Sequence, residues 1–404
     1  MAEKRLSQPE FIALVAMLFA TIAFTIDAML PALPDIAAEL TPDNPNQAQL
    51  ILTSFVLGMG GGTLIVGPLS DRFGRKGVIV LSSLLYCIAG LLAWVAPTLE
   101  TLLVARILQG VGAAGPRVVS LAMVRDLYKG REMARIMSFA MMIFTLFPAV
   151  APLLGSLFIQ SFGWRSIFIV FLLFCLVVTV WLIIRQPETL AIERRRTLDF
   201  PSLWGAFSEV MTTRIVLVSI LIQSMILGAL FATLSSIQPI FDATFGRADS
   251  FPLWFALIAL IAGTSSILNA TLVGRWGMRR LVVLALLCQI ALSAFMAVMN
   301  EFALWPEPLI FPAFLIWLTG VFGMMGLTMG NLNALALEPL GHIAGMASSV
   351  IGALATILAV LIAAPLGLAF DGTTLPLMIG VAVLTGLAFL LMRLIPGAGV
   401  PATP

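Results

Sequence analysis

Gly67-Pro68-Leu69-Ser70-Asp71-Arg72-Phe73-Gly74-Arg75-Lys76 is a short, charged turn held between two long apolar runs, 48–69 and 77–96. Each run has about the 20 residues that a helix needs to cross the hydrocarbon of a bilayer. Glycine permits a tight reversal between them, and the basic residues keep the turn in water on one side. A matching turn lies 203 residues further on, where Gly274-Arg275-Trp276-Gly277-Met278-Arg279 aligns with Asp71 to Lys76. At the same offset, Gly60-Gly61-Gly62 aligns with Gly263-Thr264-Ser265. The chain therefore reads as two copies of one unit.

Working outward, further apolar runs fall at 10–33, 101–124, 133–158 and 164–185, then at 213–240, 252–274, 280–299, 309–333, 344–369 and 374–394. That makes twelve spans. Of the 404 residues, 60% are hydrophobic and 10% charged, with a mean hydropathy of +1.08. A water-soluble domain carries about a quarter charged residues, so this surface belongs in lipid. Backbone groups in lipid must bond internally, which leaves helices or a closed barrel. Runs of this length are helical. The expectation is an all-α integral membrane protein of twelve transmembrane helices in two pseudo-symmetric six-helix halves, 1–185 and 213–404. A polar cytoplasmic linker over 186–212, carrying Arg194-Arg195-Arg196, joins them.

All of the 22 lysines and arginines except Arg106, Arg117, Arg165 and Arg247 fall on one face of this topology. The positive-inside rule puts that face, and both termini, in the cytoplasm, with Lys4 and Arg5 at the start and Arg393 at the end. Met1 to Pro9 is short and polar, with no small-residue cleavage site after the apolar run, so the first run reads as a retained helix. Cys87, Cys175 and Cys288 lie inside apolar runs and read as small buried hydrophobes. With His342 the lone histidine, no metal or haem centre is expected, and no cofactor. No phosphate-binding Gly-rich Lys motif occurs, so an ion gradient is the expected driving force. The charge pattern is explained by topology, and no nucleic-acid partner is expected.

Span 4 carries Arg106-Ile107-Leu108-Gln109-Gly110-Val111-Gly112-Ala113-Ala114. Arginine in a span is expensive and normally faces a cavity and a partner. At about 100° per residue, Arg106, Gln109 and Arg117 share a stripe, while Gly110 and Gly112 let a neighbouring helix approach closely. Asp27 in span 1 is the acid set well inside an apolar run, and its depth matches that of Arg106. Two readings follow: a structural ion pair, or a carboxylate that takes and releases protons as Arg106 or a substrate moves. Arg117 is open between reaching lipid phosphate and facing the cavity, where two arginines and one acid would suit an anionic, zwitterionic or neutral polar substrate. In the second half Gln223, Ser235, Ser236, Gln238, Asn331 and Asn333 can orient a ligand, and methionines such as Met141, Met142, Met324, Met325 and Met329 can line an adaptable pocket.

The turn Gly67 to Lys76 resembles the 2–3 loop signature of the major facilitator superfamily, and Arg106 to Ala114 resembles its R-x-x-Q-G-x-G-A-A signature. Ile26-Asp27-Ala28-Met29-Leu30-Pro31-Ala32-Leu33-Pro34 narrows this to the Bcr/CflA branch of drug–proton antiporters. Val124-Arg125-Asp126, Ala151-Pro152-Leu153-Leu154-Gly155, Phe162-Gly163-Trp164-Arg165 and Leu337-Glu338-Pro339 also fit. In span 5, Pro152 and Gly155 keep the antiporter packing motif, whereas Ala149, Ala151 and Ser156 replace glycines in it. The resemblance implies a gate latch of Asp71 with Arg72, Arg75, Arg125 and Asp126, in which Asp71 faces the positive end of the helix starting near Ala344. The alternative is that the basic residues serve topology alone.

The function expected is secondary-active transport by a monomer in a bacterial inner membrane. Its partners would be a small-molecule substrate, protons and the lipid bilayer. Asp27 and Arg106 would couple protons. Asp27, Arg106, Gln109, Arg117, Gln223, Gln238, Asn331 and Asn333 would form the substrate cavity. Export of amphipathic compounds such as antibiotics stands against import or passive transport of a polar or anionic metabolite. A channel lacks a filter-like loop here, and an enzyme would need a nucleophile–base pair or metal cluster in the spans.

Overall fold

A computed structural model describes residues 6–195 and 200–395. The described residues form fourteen α-helices and no strands. In the first half these are α1 (Gln8–Asp27), α2 (Leu33–Leu40), α3 (Leu50–Phe73), α4 (Arg75–Trp94), α5 (Leu99–Leu127), α6 (Gly130–Phe162) and α7 (Ser166–Arg185). After α8 (Phe200–Thr212) come α9 (Arg214–Pro239), α10 (Phe251–Trp276), α11 (Met278–Glu301), α12 (Glu307–Leu337), α13 (Ala344–Leu368) and α14 (Leu375–Met392). Eleven helical stretches among the described residues are long and apolar enough to cross a membrane. One of them, Glu307–Leu368, is α12 and α13 joined through the tight turn Glu338–Ile343, so the twelve runs of the sequence have twelve helices. Lys4, Arg5 and Arg196, used above for orientation, lie outside the described residues.

Two compact units divide the chain, Met1–Phe200 and Pro201–Pro404. Their internal pairings are the same. In the first unit α5 packs on α3 and α4, α1 on α6 and α7, and α4 on α7. In the second α12 packs on α10 and α11, α9 on α13 and α14, and α11 on α14. Gly74 (φ 97°) and Gly277 (φ 79°), the aligned glycines of the two charged turns, both adopt the left-handed conformation that a side chain disfavours. Outside the packed faces, large apolar side chains stand in stripes, such as Leu81, Leu84, Ile88 and Leu91 on α4. At helical spacing these make a surface for lipid rather than water.

Two elements differ from the sequence reading. The first apolar run does not continue as one helix to residue 33, because α1 ends at Asp27 and the chain passes through the turn Leu30–Ala32 into α2. Pro31 and Pro34 lack the amides that would bond the carbonyls of residues 27 and 30. Within the polar connector, α8 forms, with Val210 fully buried and Trp204 stacked on Phe207 at 5.5 Å between ring centroids.

Candidate functional site

In the first unit α5 sits between α3 and α4 at backbone contact. A Cβ on Gly110 would lie 2.0 Å from the Phe55 carbonyl oxygen, one on Gly58 1.9 Å from that of Ile107, and one on Gly112 2.6 Å from the Tyr86 amide nitrogen. Glycine is what lets three helices meet without intervening side chains. That closeness buries Arg106 and Gln109 completely. The Arg106 guanidinium donates from Nη1 to Gln109 Oε1 (2.7 Å) and from Nε to the Ile51 carbonyl (3.3 Å), and lies 4.4 Å from the Phe55 ring centroid. Tyr86 of α4, buried alongside, shares a hydrogen bond with Thr25 of α1, whose hydroxyl donates to the Thr21 carbonyl.

Asp27 and Arg106 are both buried, but no ion pair joins them among the described residues. Arg106 turns instead to its own helix and to α3. Asp27, 5% exposed, ends α1 just where the helix breaks, and no hydrogen bond to its carboxylate is found among the described residues. The break is packed by α6: Pro152 is buried, and a Cβ on Gly155 would lie 2.3 Å from the Ala28 carbonyl oxygen. Arg117 shares an azimuth with Arg106 but is exposed, its Nη1 3.8 Å from Met59 Sδ.

At the end of this unit bearing the 2–3 turn, Arg75 gathers the acids. Its Nη1 donates to Asp71 and to Ser70 Oγ (2.7 Å), and its Nε to Asp126 Oδ2 (2.9 Å). Arg72 and Arg125 are exposed and stand outside this network, with Arg72 stacked on Phe73. The residue missed from sequence is Glu188, which follows α7. Its carboxylate accepts from the Arg75 (2.9 Å) and Lys76 (3.1 Å) amides at the start of α4, and from those of Thr189 and Leu190. Thr189 in turn donates to Asp126 (3.1 Å). A carboxylate there satisfies orphan amides and meets the positive end of the helix. Glu188→Ala is expected to destabilise the fold by about 2 kcal/mol, the upper end for a lost cap. Faster amide hydrogen exchange at Arg75 and Lys76 would report it, and unchanged exchange would contradict it.

In the second unit no hydrogen bond joins the candidate residues to one another among the described residues. Gln223 and Gln238 of α9 are buried, with Gln223 Nε2 and Gln238 Oε1 lacking hydrogen-bond partners among the described residues. Asn331 is buried and donates to Asn269 Oδ1 of α10 (2.8 Å), whereas Asn333 is exposed. A polar centre the sequence reading passed over joins α11 to α12: Gln289 Nε2 (3.0 Å) and Trp317 Nε1 (2.9 Å) both donate to Ser293 Oγ, all three buried. Gln289 stands 203 residues after Tyr86. The repeat offset was the signal that could have found it.

The family model described as Major Facilitator Superfamily matches residues 13–364. An uncharacterized MFS-type transporter, YdgK of Bacillus subtilis (strain 168), is 29% identical over 93% of each chain. A bicyclomycin resistance protein homolog of Haemophilus influenzae (strain ATCC 51907 / DSM 11121 / KW20 / Rd) is 29% identical over 85% of each. The crystal structure of a D-xylose-proton symporter superposes with a TM-score of 0.77 over 97% of this chain and 98% of its own, at 14% identity, a likeness of fold. Family and fold are those of transporters rather than enzymes. Two pseudo-symmetric six-span units, the filled signatures of the 2–3 turn and of α5, and the match along most of the chain place the protein in one family: it is a multi-pass membrane transporter of the Major Facilitator Superfamily.

Proposed function

We propose that the protein exports small amphipathic compounds, antibiotics among them, from a bacterial cytoplasm in exchange for protons. It works as a monomer in the inner membrane with both termini inside. The observation that carries this reading is Asp27: a carboxylate buried at the break in α1, with no cation paired to it among the described residues. Ionised, it leaves an uncompensated charge in a membrane helix; protonated, it leaves none, so proton uptake changes the local electrostatics more here than at any paired acid. Arg106 and Gln109, locked together on α5, provide the fixed side of the site, and Tyr86 and Thr25 tie α4 to α1. The Asp71–Arg75–Asp126 cluster serves as the latch, opening when Asp71 releases Arg75. The name of the relative linked to bicyclomycin resistance supports the substrate class.

Accumulation in whole cells tests this reading. Cells expressing the protein should hold less bicyclomycin, or less of another amphipathic antibiotic from a panel, than cells carrying an empty vector. A protonophore should remove the difference. Higher accumulation than the control would make the protein an importer, and a difference that survives the protonophore would make it a carrier without proton coupling.

A further inference from the structure

Among the described residues of the first unit, Arg117 is the one arginine deep in the spans that is exposed. α5 has 29 residues centred on Ala113, so Arg117 lies about 6 Å from its middle. With a hydrocarbon half-thickness of about 15 Å, that is roughly 9 Å short of the headgroup level. Its azimuth also points away from lipid. α3 and α4 flank α5 through the glycine contacts, and the arc exposed between them carries Val104 (59% exposed) and Leu108 (38%). At 100° per residue Arg117 lies about 140° from Val104 and about 180° from Leu108, and about 20° from Arg106. It is thus exposed on the arc of α5 opposite the apolar pair Val104 and Leu108, the pair with the character of a lipid-facing surface. Among the described residues it has no oxygen acceptor or carboxylate partner; its contact is the Met59 thioether, a weak acceptor.

We propose that Arg117 anchors the carboxylate of the transported compound, so that substrates are small amphipathic organic acids or zwitterions. This rests on the reading of the inner face as the substrate path. A guanidinium stays charged and presents a planar fork that takes a carboxylate in two parallel hydrogen bonds. Within the first unit the charge balance favours an anion, because Asp27 is the acid of its interior against Arg106 and Arg117. A cationic compound would find one carboxylate and two arginines, and an anion finds Arg117 free.

The test is protection of Arg117 from phenylglyoxal, read by mass spectrometry on the full chain in phosphatidylcholine nanodiscs. The buried Arg106 serves as an unreactive reference. Benzoate and salicylate should slow adduct formation at Arg117 about tenfold, the worth of a charge-assisted hydrogen bond, whereas benzamide and salicylamide should not. Arg117→Gln should weaken salicylate binding by a similar factor, and Arg117→Lys should restore part of it. Equal protection by acid and amide would overturn the proposal, as would absence of an adduct at Arg117. Suppression of the adduct by phosphatidylglycerol alone would overturn it in favour of a lipid headgroup. No ion gradient is needed, so the result stands whether or not transport proves to be proton-coupled.

Discussion

Gly110→Ala is expected to unseat α5 and to lower the folded yield and thermal midpoint sharply. The added Cβ would lie 2.0 Å from the Phe55 carbonyl oxygen and 2.8 Å from the Met59 amide nitrogen. Both neighbours are backbone, so no rotamer change can make room. The helices must separate, and every contact between α3 and α5 loosens with them, including the stacking of Phe55 on Arg106. Overpacking a tight core costs about 1–3 kcal/mol, and this site belongs at the top of that range. Gly61→Ala on α3 is the control, because nothing lies within 4 Å of its added Cβ. That variant should fold as well as the parent protein. Equal thermal midpoints for the two variants would show that the close approach of α3 and α5 is wrong.

Arg106→Lys is expected to leave the fold intact and to reduce transport to less than about a tenth, since lysine cannot replace a planar, multiply bonded fork. The guanidinium reaches Gln109 Oε1 and the Ile51 carbonyl from two nitrogens while lying flat on Phe55. An ammonium holds the charge but cannot meet both oxygens and the ring in that geometry. Gln109, whose Nε2 already lacks a partner among the described residues, would lose its fixed position. Substrate transport in proteoliposomes measures the effect, and circular dichroism with size-exclusion profiles checks the fold. Transport close to that of the parent protein would reduce Arg106 to a buried charge whose shape does not matter.

The spans were legible because a helix that faces lipid must be apolar for about 20 residues, and nothing in tertiary packing overrides that. The repeat was legible for the same reason at Gly74 and Gly277, where backbone conformation demands the residue type. The end of α1 was misread because hydropathy ignores the two prolines, which act on hydrogen bonds and not on polarity. Depth could be counted for Asp27 and Arg106, but azimuth depends on how α1, α3 and α5 rotate against one another, and spacing does not encode that. Glu188 was missed because its partners at Arg75 and Lys76 are more than a hundred residues away. Gln289, Ser293 and Trp317 were missed because a neutral polar side chain inside an apolar run raises no charge signal. For Arg117, the sequence left lipid phosphate and cavity open, and the proposed carboxylate anchor rests on the second.

Proton movement in proteoliposomes, compared between the intact protein and Asp27→Asn, bears most directly on the exchange mechanism. Addition of a transported compound to the intact protein should release protons on the side where the compound binds, and Asp27→Asn should bind the compound yet release none. Proton release from Asp27→Asn equal to that of the intact protein would make Asp27 a structural residue and place the coupling elsewhere.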